Sequence, residues 1–477
     1  MLPKEFKERM ENLLGSDSVE FFLEIETNPP KRAFRVNEIK LSSENFEQLD
    51  TQIERKKALF PKSAYYTEEQ FIGFSPAHHA GMIYVQDPSA MATVFALEPK
   101  KGMRVLDSCS APGGKTAQLA QAVGDGGVVV ANEYDSKRCR VLQGNIERMG
   151  ARNTVVLNLD TKILAEAYRS YFDFVLCDAP CSGEGMFRKN SDAIDNWSLQ
   201  NVKICAKRQN EIIENVAQCV RDGGYLLYST CTFSLEENEM LVDSFLSGHT
   251  EFSLCPVSEE LSRVTADGIN FDGCQHDMKL TRRYYPHVSQ GEGQFIALMR
   301  KKLGENGDVG DAKPKKAEQR ESKRRSKEEI SAIKLAYDFL SENLIEMPQN
   351  ELVTIGNFVY LKPDIHLTEF GVISAGVCVG EVQKSRFVPH HQLFSAYGNQ
   401  FRRKIDLPYK SKELQDYLLG LEIDADTLSA DDCKPDGYCA ILVEGVALGG
   451  GKVSAGKCKN HYPKGLRNTK KIEFEEK

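Results

Sequence analysis

Between Gly102 and about Arg300 the chain alternates short apolar runs with helical segments, and this alternation restricts its fold more than any other feature. Strands that alternate with helices form a mostly parallel sheet with helices on both faces. The sequence therefore predicts an α/β fold, with a doubly wound, Rossmann-like domain over 101–300 and a ligand site at the carboxyl ends of its strands. The predicted strands are Arg104 to Asp107, Gly127 to Asn132, Thr154 to Leu157, Phe172 to Cys177 and Tyr225 to Ser229.

The regions on either side of this domain differ from it in composition. Residues 1–100 mix helical stretches with a strand-like run from Arg32 to Asn37 and predict a small N-terminal lobe. Residues 301–329 are rich in Gly, Lys, Arg and Glu, which is typical of a charged, solvated linker. The remainder predicts an intermediate α+β domain over 330–392 and a β-rich domain over 393–477. Their predicted elements are a helix at Ile330 to Ile345 and strands at Tyr438 to Val443 and Val446 to Leu448.

Composition excludes several classes of protein. With 41% hydrophobic and 27% charged residues over 477 positions, the chain can form roughly two to four globular domains. No run approaches the ~20 apolar residues of a membrane span, and the first residues hold no apolar signal core, so we expect a cytoplasmic monomer without membrane contacts. The 13 cysteines are odd in number, scattered and free of any Cys-x-x-Cys pair. This pattern favours reduced thiols and argues against a bound metal.

A strand that leads into a Gly-rich turn and then a helix forms the first candidate site. It reads Val105-Leu106-Asp107-Ser108-Cys109-Ser110-Ala111-Pro112-Gly113-Gly114-Lys115-Thr116. Its small residues let a ligand lie against the backbone, and a helix amino end favours an anionic group. The segment matches neither the phosphate-binding P-loop nor the Gly-x-Gly-x-x-Gly dinucleotide pattern. Taken alone, it is also compatible with an ordinary strand-to-helix turn.

Two acids follow the second and third predicted strands. Glu133 lies 18 residues beyond Lys115, where an acid can accept hydrogen bonds from two ribose hydroxyls. Asp160 can then bind the adenine amino group. Either acid alone is commonly a solvated loop residue, but their positions at successive strand ends favour a nucleoside cofactor with a carboxylate tail. The predicted cofactor is S-adenosylmethionine.

Two cysteines follow the fourth and fifth predicted strands. Cys181 lies in Asp178-Ala179-Pro180-Cys181-Ser182-Gly183, and Cys231 lies in Tyr228-Ser229-Thr230-Cys231-Thr232. Because C5 of a pyrimidine is not nucleophilic until a thiolate has added to C6, cysteine at this edge indicates methylation of a ring carbon. Cys109 and Cys177 are more simply packing residues. The residues themselves leave open which of Cys181 and Cys231 attacks the ring.

These motifs resemble those of the NOL1/NOP2/Sun family of RNA cytosine-5 methyltransferases. The likeness covers residues 1 to about 300 and includes Phe34-Arg35-Val36-Asn37, Arg283-Tyr284-Tyr285-Pro286-His287 and Glu292-Gly293-Gln294-Phe295. It implies that Cys231 is the nucleophile, that Cys181 assists product release and that Asp178 holds the cytosine edge. Ser110 stands where the family usually has alanine. The cofactor contacts implied by the resemblance are Cys109, Ser110, Ala111, Pro112, Gly113, Gly114, Lys115, Glu133, Asp160 and Asp178.

The C-terminal residues are basic although the net charge of the chain is -8. Gly451 to Ile472 contains no acid, so it is a candidate RNA surface, with a solvated tail as the alternative. Leu448 to Lys452 and Lys459 to Arg467 resemble the PUA-like RNA-binding region of the bacterial ribosomal small-subunit methyltransferase F subgroup. This likeness implies 16S ribosomal RNA, or the small subunit, as partner. The candidate RNA contacts are Lys452, Lys457, Lys459, His461, Tyr462, Lys464 and Arg467.

Two other functions share features of this sequence. A tRNA cytosine-5 methyltransferase would share the catalytic motifs, because the choice of target depends on the surface of the outer domains. A non-catalytic RNA-binding assembly factor is disfavoured, because such a protein would be expected to have lost Cys231 or the cofactor acids, and all of them are present.

Overall fold

A computed structural model describes residues 2–58, 61–97, 99–289, 291–304, 325–384, 386–431 and 433–470. These described residues form four β-sheets. Most of the predicted linker, 305–324, and the end of the predicted C-terminal domain, 471–477, lie outside the described residues. Among the described helices, none combines the length and the apolar character that crossing a bilayer requires.

The N-terminal lobe joins a pair of helices to a small antiparallel sheet with the strand order β2-β3-β1-β4. Strand β1 lies within the run predicted from Arg32 to Asn37 and is buried throughout. Helices α1 and α2 pack Phe6 against Trp197 and Phe21 against Phe233 of the central domain. The elements are α1 (Lys4–Leu14), α2 (Ser18–Thr27), β1 (Ala33–Val36), α3 (Ser43–Gln48), β2 (Lys56–Lys57), β3 (Ala64–Tyr66), α4 (Pro76–His79), β4 (Ile83–Val85) and α5 (Pro88–Phe95).

The central sheet has ten strands within the described residues and confirms the predicted doubly wound α/β fold. Its parallel core has the order β9-β8-β5-β6-β7, with antiparallel β13 beside β9. From β5 the chain adds β6 and β7 on one side and then β8 and β9 on the other, so the strand order reverses between β5 and β8. Ligands bind at such a point in open α/β sheets. The elements are β5 (Arg104–Asp107), α6 (Gly114–Val123), β6 (Val128–Asn132), α7 (Ser136–Met149), β7 (Thr154–Leu157), α8 (Thr161–Ala167), β8 (Phe172–Asp178), α9 (Ser191–Asp195), α10 (Leu199–Ala217), β9 (Val220–Thr230), α11 (Glu239–Gly248), β10 (Phe252–Leu254), α12 (Glu259–Arg263), β11 (Ala266–Asp267), β12 (Arg282–Tyr284) and β13 (Gln294–Lys301).

The core strands are continuously apolar because helices cover both faces of the sheet. Along β6, Val128 and Val130 face one hydrophobic cluster, which includes residues of α8, α10 and α11. Val129 and Ala131 face the other cluster, with residues of α6 and α7. This packing holds the strand ends, and hence the loops that follow them, in fixed positions.

Two further sheets lie beyond the linker. Strands β14-β15-β17-β18 form one, and β20-β24-β23-β22-β19-β21 form the other. The elements are α13 (Lys327–Asn343), β14 (Glu351–Ile355), β15 (Phe358–Lys362), β16 (Val372–Ala375), β17 (Val377–Gln383), β18 (Arg386–Pro389), α14 (His391–Tyr397), β19 (Arg403–Leu407), α15 (Lys412–Leu418), β20 (Ile423–Asp424), β21 (Leu428–Ala430), β22 (Gly437–Val443), β23 (Val446–Ser454) and β24 (Lys457–Asn460).

The structure joins segments that the sequence analysis separated. Strand β16 pairs antiparallel with β7, whose backbone groups at the edge of the parallel core are open to pairing. Helix α14 spans the predicted boundary between residues 392 and 393. The N-terminal lobe also contacts this region, since Lys40 Nζ donates to Ser395 Oγ at 2.9 Å and to the Ala447 carbonyl at 2.8 Å.

Candidate active site

Three neighbouring strands of the parallel core end in polar side chains at one edge of the sheet. Strand β5 ends at Asp107, β8 at Asp178 and β9 at Thr230. Because β8 lies between the other two strands, the loops that follow all three meet at this edge. These loops contain the predicted cofactor turn and both predicted catalytic cysteines.

The loops after β8 and β9 bring two sulfur atoms together. Cys181 Sγ lies 3.3 Å from Cys231 Sγ, and both side chains are half-buried rather than sealed in the core. The hydrogen bond between the two sulfurs, together with burial, raises the pKa of Cys181 well above its usual value. Cys181 is therefore held as a neutral thiol beside Cys231.

Asp178 accepts three side-chain hydrogen bonds at this edge. Its Oδ2 accepts a hydrogen bond from Lys115 Nζ at 2.8 Å, and its Oδ1 accepts from Ser229 Oγ at 2.6 Å and Gln294 Nε2 at 3.1 Å. Burial by itself would lower the pKa of Lys115, but the charge of Asp178 and the bond to it leave that pKa above its usual value. This ion pair connects the cofactor turn to the cysteine loops.

The turn between β5 and α6 places its backbone close to neighbouring elements. Gly113 has a φ of +110°, a region that favours glycine, and a Cβ there would lie 3.1 Å from a side chain of α7. The Ser110 hydroxyl donates to the Asp107 carbonyl at 2.7 Å. The carbonyls of Ala111 and Pro112 accept hydrogen bonds from α7 at 2.9 Å and 2.8 Å. These contacts hold the turn open toward the strand ends.

Two acids near this turn have buried oxygens that accept no hydrogen bond from the described residues. Asp107 Oδ2 accepts from Thr116 Oγ1 at 2.7 Å, but Oδ1 has no such partner, and burial raises the pKa of Asp107 to about 7. Glu133 is 4% exposed, and the nearest cation to its Oε2 is Arg138 Nη1 at 3.4 Å. Buried polar atoms of this kind normally have a partner. The turn and Glu133 therefore fit a cofactor that carries hydroxyl or ammonium donors.

Asp160 lies beyond β7, as predicted, but it also has a structural role. Its Oδ1 accepts a hydrogen bond from the Lys162 backbone N–H at 2.8 Å and so caps the start of α8. The side chain is otherwise exposed. Its binding of an adenine amino group stays a prediction.

Two further thiols lie near the site. Cys177 is fully buried within β8, and Cys109 lies in the turn beside the Ser108 hydroxyl. Burial raises the pKa of both thiols. In the described part of the chain, no group of three or more His, Cys, Asp and Glu side chains is arranged to hold a metal ion.

Sequence reasoning missed the carboxylates that hold the cysteine loops in place. Glu184 of the first loop accepts hydrogen bonds from residues 232–234 of the second loop. Glu237, after the second loop, accepts from Ser182 of the first. A signal existed, because both acids lie within six residues of a predicted catalytic cysteine. Acids at such positions are also common in ordinary turns and helix starts.

The predicted RNA contacts lie on β23, β24 and the turn that follows them. The lysines among them, at positions 452, 457, 459 and 464, are exposed. Tyr462 is only 2% exposed, and its hydroxyl lies 2.9 Å from His79 Nδ1. Arg467 donates to the Tyr462 carbonyl, and His461 is half-buried. The prediction of Tyr462 as an RNA contact is therefore wrong, because its ring packs between the C-terminal sheet and the N-terminal lobe.

Comparisons with known protein families cover three parts of the chain. Residues 94–300 match the family described as 16S rRNA methyltransferase RsmB/F. Residues 2–88 match the N-terminal domain of 16S rRNA methyltransferase RsmF, and residues 404–468 match the methyltransferase RsmF PUA domain. The three matches follow the order of the lobe, the central sheet and the last sheet.

Individual relatives match nearly the whole chain. Ribosomal RNA small subunit methyltransferase F of Vibrio vulnificus (strain YJ016) is 30% identical over 99% of this chain and 98% of its own, and that of Shewanella piezotolerans is 31% identical over 96% and 95%. Among solved structures, a methyltransferase homolog protein from Pyrococcus horikoshii is 30% identical, with a TM-score of 0.55 over 63% of this chain and 95% of its own. NSun6 from Pyrococcus horikoshii, at 22% identity and a TM-score of 0.53, covers 63% of this chain and 98% of its own and supports the fold alone.

Proposed function

This chain belongs to the ribosomal RNA small subunit methyltransferase F family, and we propose that it methylates C5 of a cytosine in 16S ribosomal RNA through a covalent bond between Cys231 and C6. Family membership makes it an S-adenosylmethionine-dependent methyltransferase of ribosomal RNA. The observation that carries the finer proposal is the 3.3 Å separation of the Cys181 and Cys231 sulfurs beside the cofactor turn. Two thiols so placed suit a reaction in which one bonds to the base and the other assists its release.

Cys231 is the proposed nucleophile because its neighbour is held as a neutral thiol. The S–H of Cys181 can donate toward Cys231 Sγ and stabilise negative charge on it. The Cys231 thiolate then adds to C6 of the cytosine, and the electron pair displaced from the C5–C6 double bond gives C5 enamine character. After C5 has been methylated, a base removes the C5 proton, the double bond re-forms and the bond between Cys231 and C6 breaks. Cys181 assists this release.

Asp178 orients the base in this scheme. Lys115 forms an ion pair with this carboxylate, and Ser229 and Gln294 fix its plane. An ionised carboxylate is an acceptor only, so it can bind the N4 amino group of cytosine, which is a donor. A uracil, with an oxygen at that position, would meet the carboxylate lone pairs instead.

The cofactor turn and the acids around it are proposed to hold the methyl donor. Bound S-adenosylmethionine supplies the electrophilic methyl group that the activated C5 accepts. Asp107 Oδ1 and Glu133 Oε2 are buried acceptors without a hydrogen bond from the described residues, which suits donor groups of this cofactor. The proposed cofactor contacts are Cys109, Ser110, Ala111, Pro112, Gly113, Gly114, Lys115, Glu133, Asp160 and Asp178.

The outer domains are proposed to bind the RNA around the target. Taking a base out of its stack costs a few kcal/mol, so contacts elsewhere must offset that cost. The exposed lysines at positions 452, 459 and 464 can contact phosphates. These contacts position the RNA, whereas the carboxylate at the sheet edge selects the base.

Bisulfite sequencing tests the proposed target. Ribosomal RNA and tRNA are prepared from cells with and without this protein, and each cytosine that changes is mapped. We expect the loss of at least one 5-methylcytosine in 16S RNA and no change in tRNA. A change confined to tRNA would move the assignment to the alternative substrate. An unchanged pattern in both RNAs would remove the cytosine-5 assignment.

The two cysteine roles are separated by single substitutions. Cys181→Ala should accumulate a covalent RNA adduct that resists denaturing electrophoresis, because the bond to C6 forms but breaks slowly. Cys231→Ala should form no adduct and no methylated product. The reverse pattern would exchange the two roles.

A further inference from the structure

The two cysteine loops are joined by reciprocal hydrogen bonds, in which a carboxylate of each loop region accepts from the other loop. Glu237, which follows the second loop, accepts the Ser182 backbone N–H at its Oε2 at 2.9 Å, and its Oε1 lies 2.5 Å from Ser182 Oγ. Gln209 Nε2 bonds both to Glu237 Oε2 at 2.8 Å and to the Pro180 carbonyl at 3.0 Å. Both residues that flank Cys181 are therefore tied to Glu237, directly or through Gln209.

Glu184 of the first loop makes the reciprocal hydrogen bonds with the second loop. Its Oε2 accepts from Thr232 Oγ1 and from the Phe233 backbone N–H, each at 2.8 Å. Its Oε1 accepts from Ser234 Oγ and Trp197 Nε1, each at 2.9 Å. Two N–H groups and two hydroxyls thus converge on the oxygens of one carboxylate.

Ser182 and Thr232 connect the two halves, and we call Glu237, Ser182, Thr232 and Glu184 together the clasp. Ser182 Oγ lies 2.8 Å from Thr232 Oγ1, so three oxygen pairs in series lie at hydrogen-bond distance. Each of the three contacts needs one proton, but the two hydroxyls supply only two. With both carboxylates ionised, both hydroxyls would donate outward, and their own contact would hold no proton.

The third proton belongs on Glu237. Glu184 is saturated with donors, whereas Glu237 Oε1 has Ser182 Oγ as its only hydrogen-bond partner among the described residues. Burial, reinforced by the charge of Glu184, raises the pKa of Glu237 to about 7, which agrees with the proton count. The chain then runs in one direction, from Glu237 O–H through Ser182 and Thr232 to the Glu184 carboxylate.

We propose that Glu237 is a positioning residue that carries the one proton of the clasp and thereby holds Cys181 against Cys231. The inference rests on the proposed function, because in that reaction Cys181 acts when the product is released. A clasp without its proton would leave two carboxylates and two unpaired lone pairs between the loops, and Cys181 would lose its fixed distance from Cys231.

Glutamine and alanine at position 237 give opposite outcomes. In Glu237→Gln the amide N–H₂ can donate to Ser182 Oγ, and the amide oxygen can accept from Ser182 N–H, so the side chain reproduces the protonated carboxyl. We expect its kcat within about threefold of wild type. Glu237→Ala should lower kcat by about tenfold or more, leave KM for RNA within about twofold, and accumulate the covalent adduct as Cys181→Ala does.

Glu184→Gln is the matched control. Replacing this carboxylate by an amide puts an N–H₂ group where four donors converge on Glu184. Glu184→Gln should therefore lose activity, whereas Glu237→Gln should keep it. If Glu237→Ala or Glu184→Gln does not fold, as judged by circular dichroism, Ser182→Ala replaces it. That variant removes one of the two hydroxyls of the clasp and keeps the hydrogen bond from the backbone N–H of residue 182 to Glu237. It should also accumulate the covalent RNA adduct.

The pH profile gives a second readout. As pH rises above about 7, the wild-type rate should fall relative to Glu237→Gln, because only the wild type loses the clasp proton. The charged and titratable groups that act on Glu237, or on which it acts, are present in both enzymes. They are Glu184, Arg9, Cys181, Cys205 and Tyr228.

The result that overturns the proposal is a Glu237→Gln enzyme as slow as Glu237→Ala, or an alanine variant that turns over slowly without adduct. If the wild type itself forms no 5-methylcytosine, the proposed function has failed. The shared proton of the clasp is then tested by melting temperature alone. Glu237→Gln should match the wild-type melting temperature at about pH 4.5 and exceed it at pH 8.5. A variant less stable at both values would exclude a shared proton.

Discussion

At the scale of single residues, the site consists of carboxylates whose charge is set by their surroundings. Asp178 forms an ion pair with Lys115, whose Nζ lies 2.8 Å from Oδ2. Within the described residues neither Asp107 nor Glu237 has an ion-pair partner, and burial raises the pKa of each to about 7. The same side-chain chemistry therefore forms an ion pair at one position and provides proton-binding groups at two others.

Asp107→Asn should flatten the pH dependence of stability. Because the pKa of Asp107 is raised in the folded state, its stabilising contribution is complete below about pH 4 and is lost as pH rises through about 7. Asparagine does not titrate. Between pH 5 and 8 the variant should lose about 2 to 3 kcal/mol less free energy of unfolding than wild type, measured by urea denaturation. Asp160→Asn, at an exposed position, is the control, and parallel curves for Asp107→Asn and wild type would contradict the prediction.

The positions of the site residues could be predicted from sequence where they follow strands of the parallel core. Cys181, Cys231 and the turn ending at Lys115 follow strands at the same edge, so their proximity follows from strand order. The roles of Glu184 and Glu237 depend on hydrogen bonds between loops about 50 residues apart. Such bonds arise from the final positions of the loops, for which the sequence gives no local pattern.

At the scale of elements, uninterrupted apolar runs in the sequence predict the strands of the parallel core well. The predicted run Phe172 to Cys177 differs from β8 by one residue, because burial on both faces leaves only the ends polar. Strand β9 extends five residues before the predicted start at Tyr225, since Gly223 and Gly224 interrupt its pattern. The pairing of β16 with β7 was missed, because four residues at a sheet edge carry no signal for a partner about 200 positions earlier.

The turn between β16 and β17 should tolerate no side chain. Gly376 has a φ of +74°, and a Cβ there would lie 2.1 Å from the Leu361 carbonyl oxygen. Its N–H donates to the Thr154 carbonyl at 2.9 Å, which ties the turn to β7. Gly376→Ala should cost about 3 kcal/mol or more in free energy of unfolding, as strain adds to a steric clash. Gly356 also has a positive φ but open space around it, so Gly356→Ala should cost about 1 kcal/mol. Equal costs in urea denaturation would show that β16 can shift.

At the scale of the whole molecule, the lobes are tied together by buried polar contacts. Tyr462 and Asn468 of the C-terminal segment both bond to the ring of His79 in the N-terminal lobe. Lys40 reaches from that lobe to the carbonyl of Ala447, and burial lowers its pKa to about 7. These contacts hold the C-terminal sheet, with its exposed lysines, against the N-terminal lobe.

The basic surface places two like charges opposite each other on neighbouring strands. Lys452 and Lys459 are directly opposite each other on β23 and β24, and like charges at such positions repel. A net charge of -8 gives the molecule as a whole no attraction for a polyanion, so RNA binding must depend on local groups of this kind. We propose that this pair of facing lysines contacts RNA phosphates.

Lys459→Gln should therefore change stability and RNA binding in opposite directions. Removing one of two facing charges should raise the melting temperature slightly. It should also weaken RNA binding and reduce the slope of log K against log salt by about 0.7 to 0.9 if one phosphate contact is lost. Lys457→Gln is the matched control on the same strand, because Lys457 is paired with Asp424. That substitution should lower the melting temperature and leave the salt slope unchanged. If both variants left the slope unchanged, the phosphate contacts would have to lie on another face of the protein.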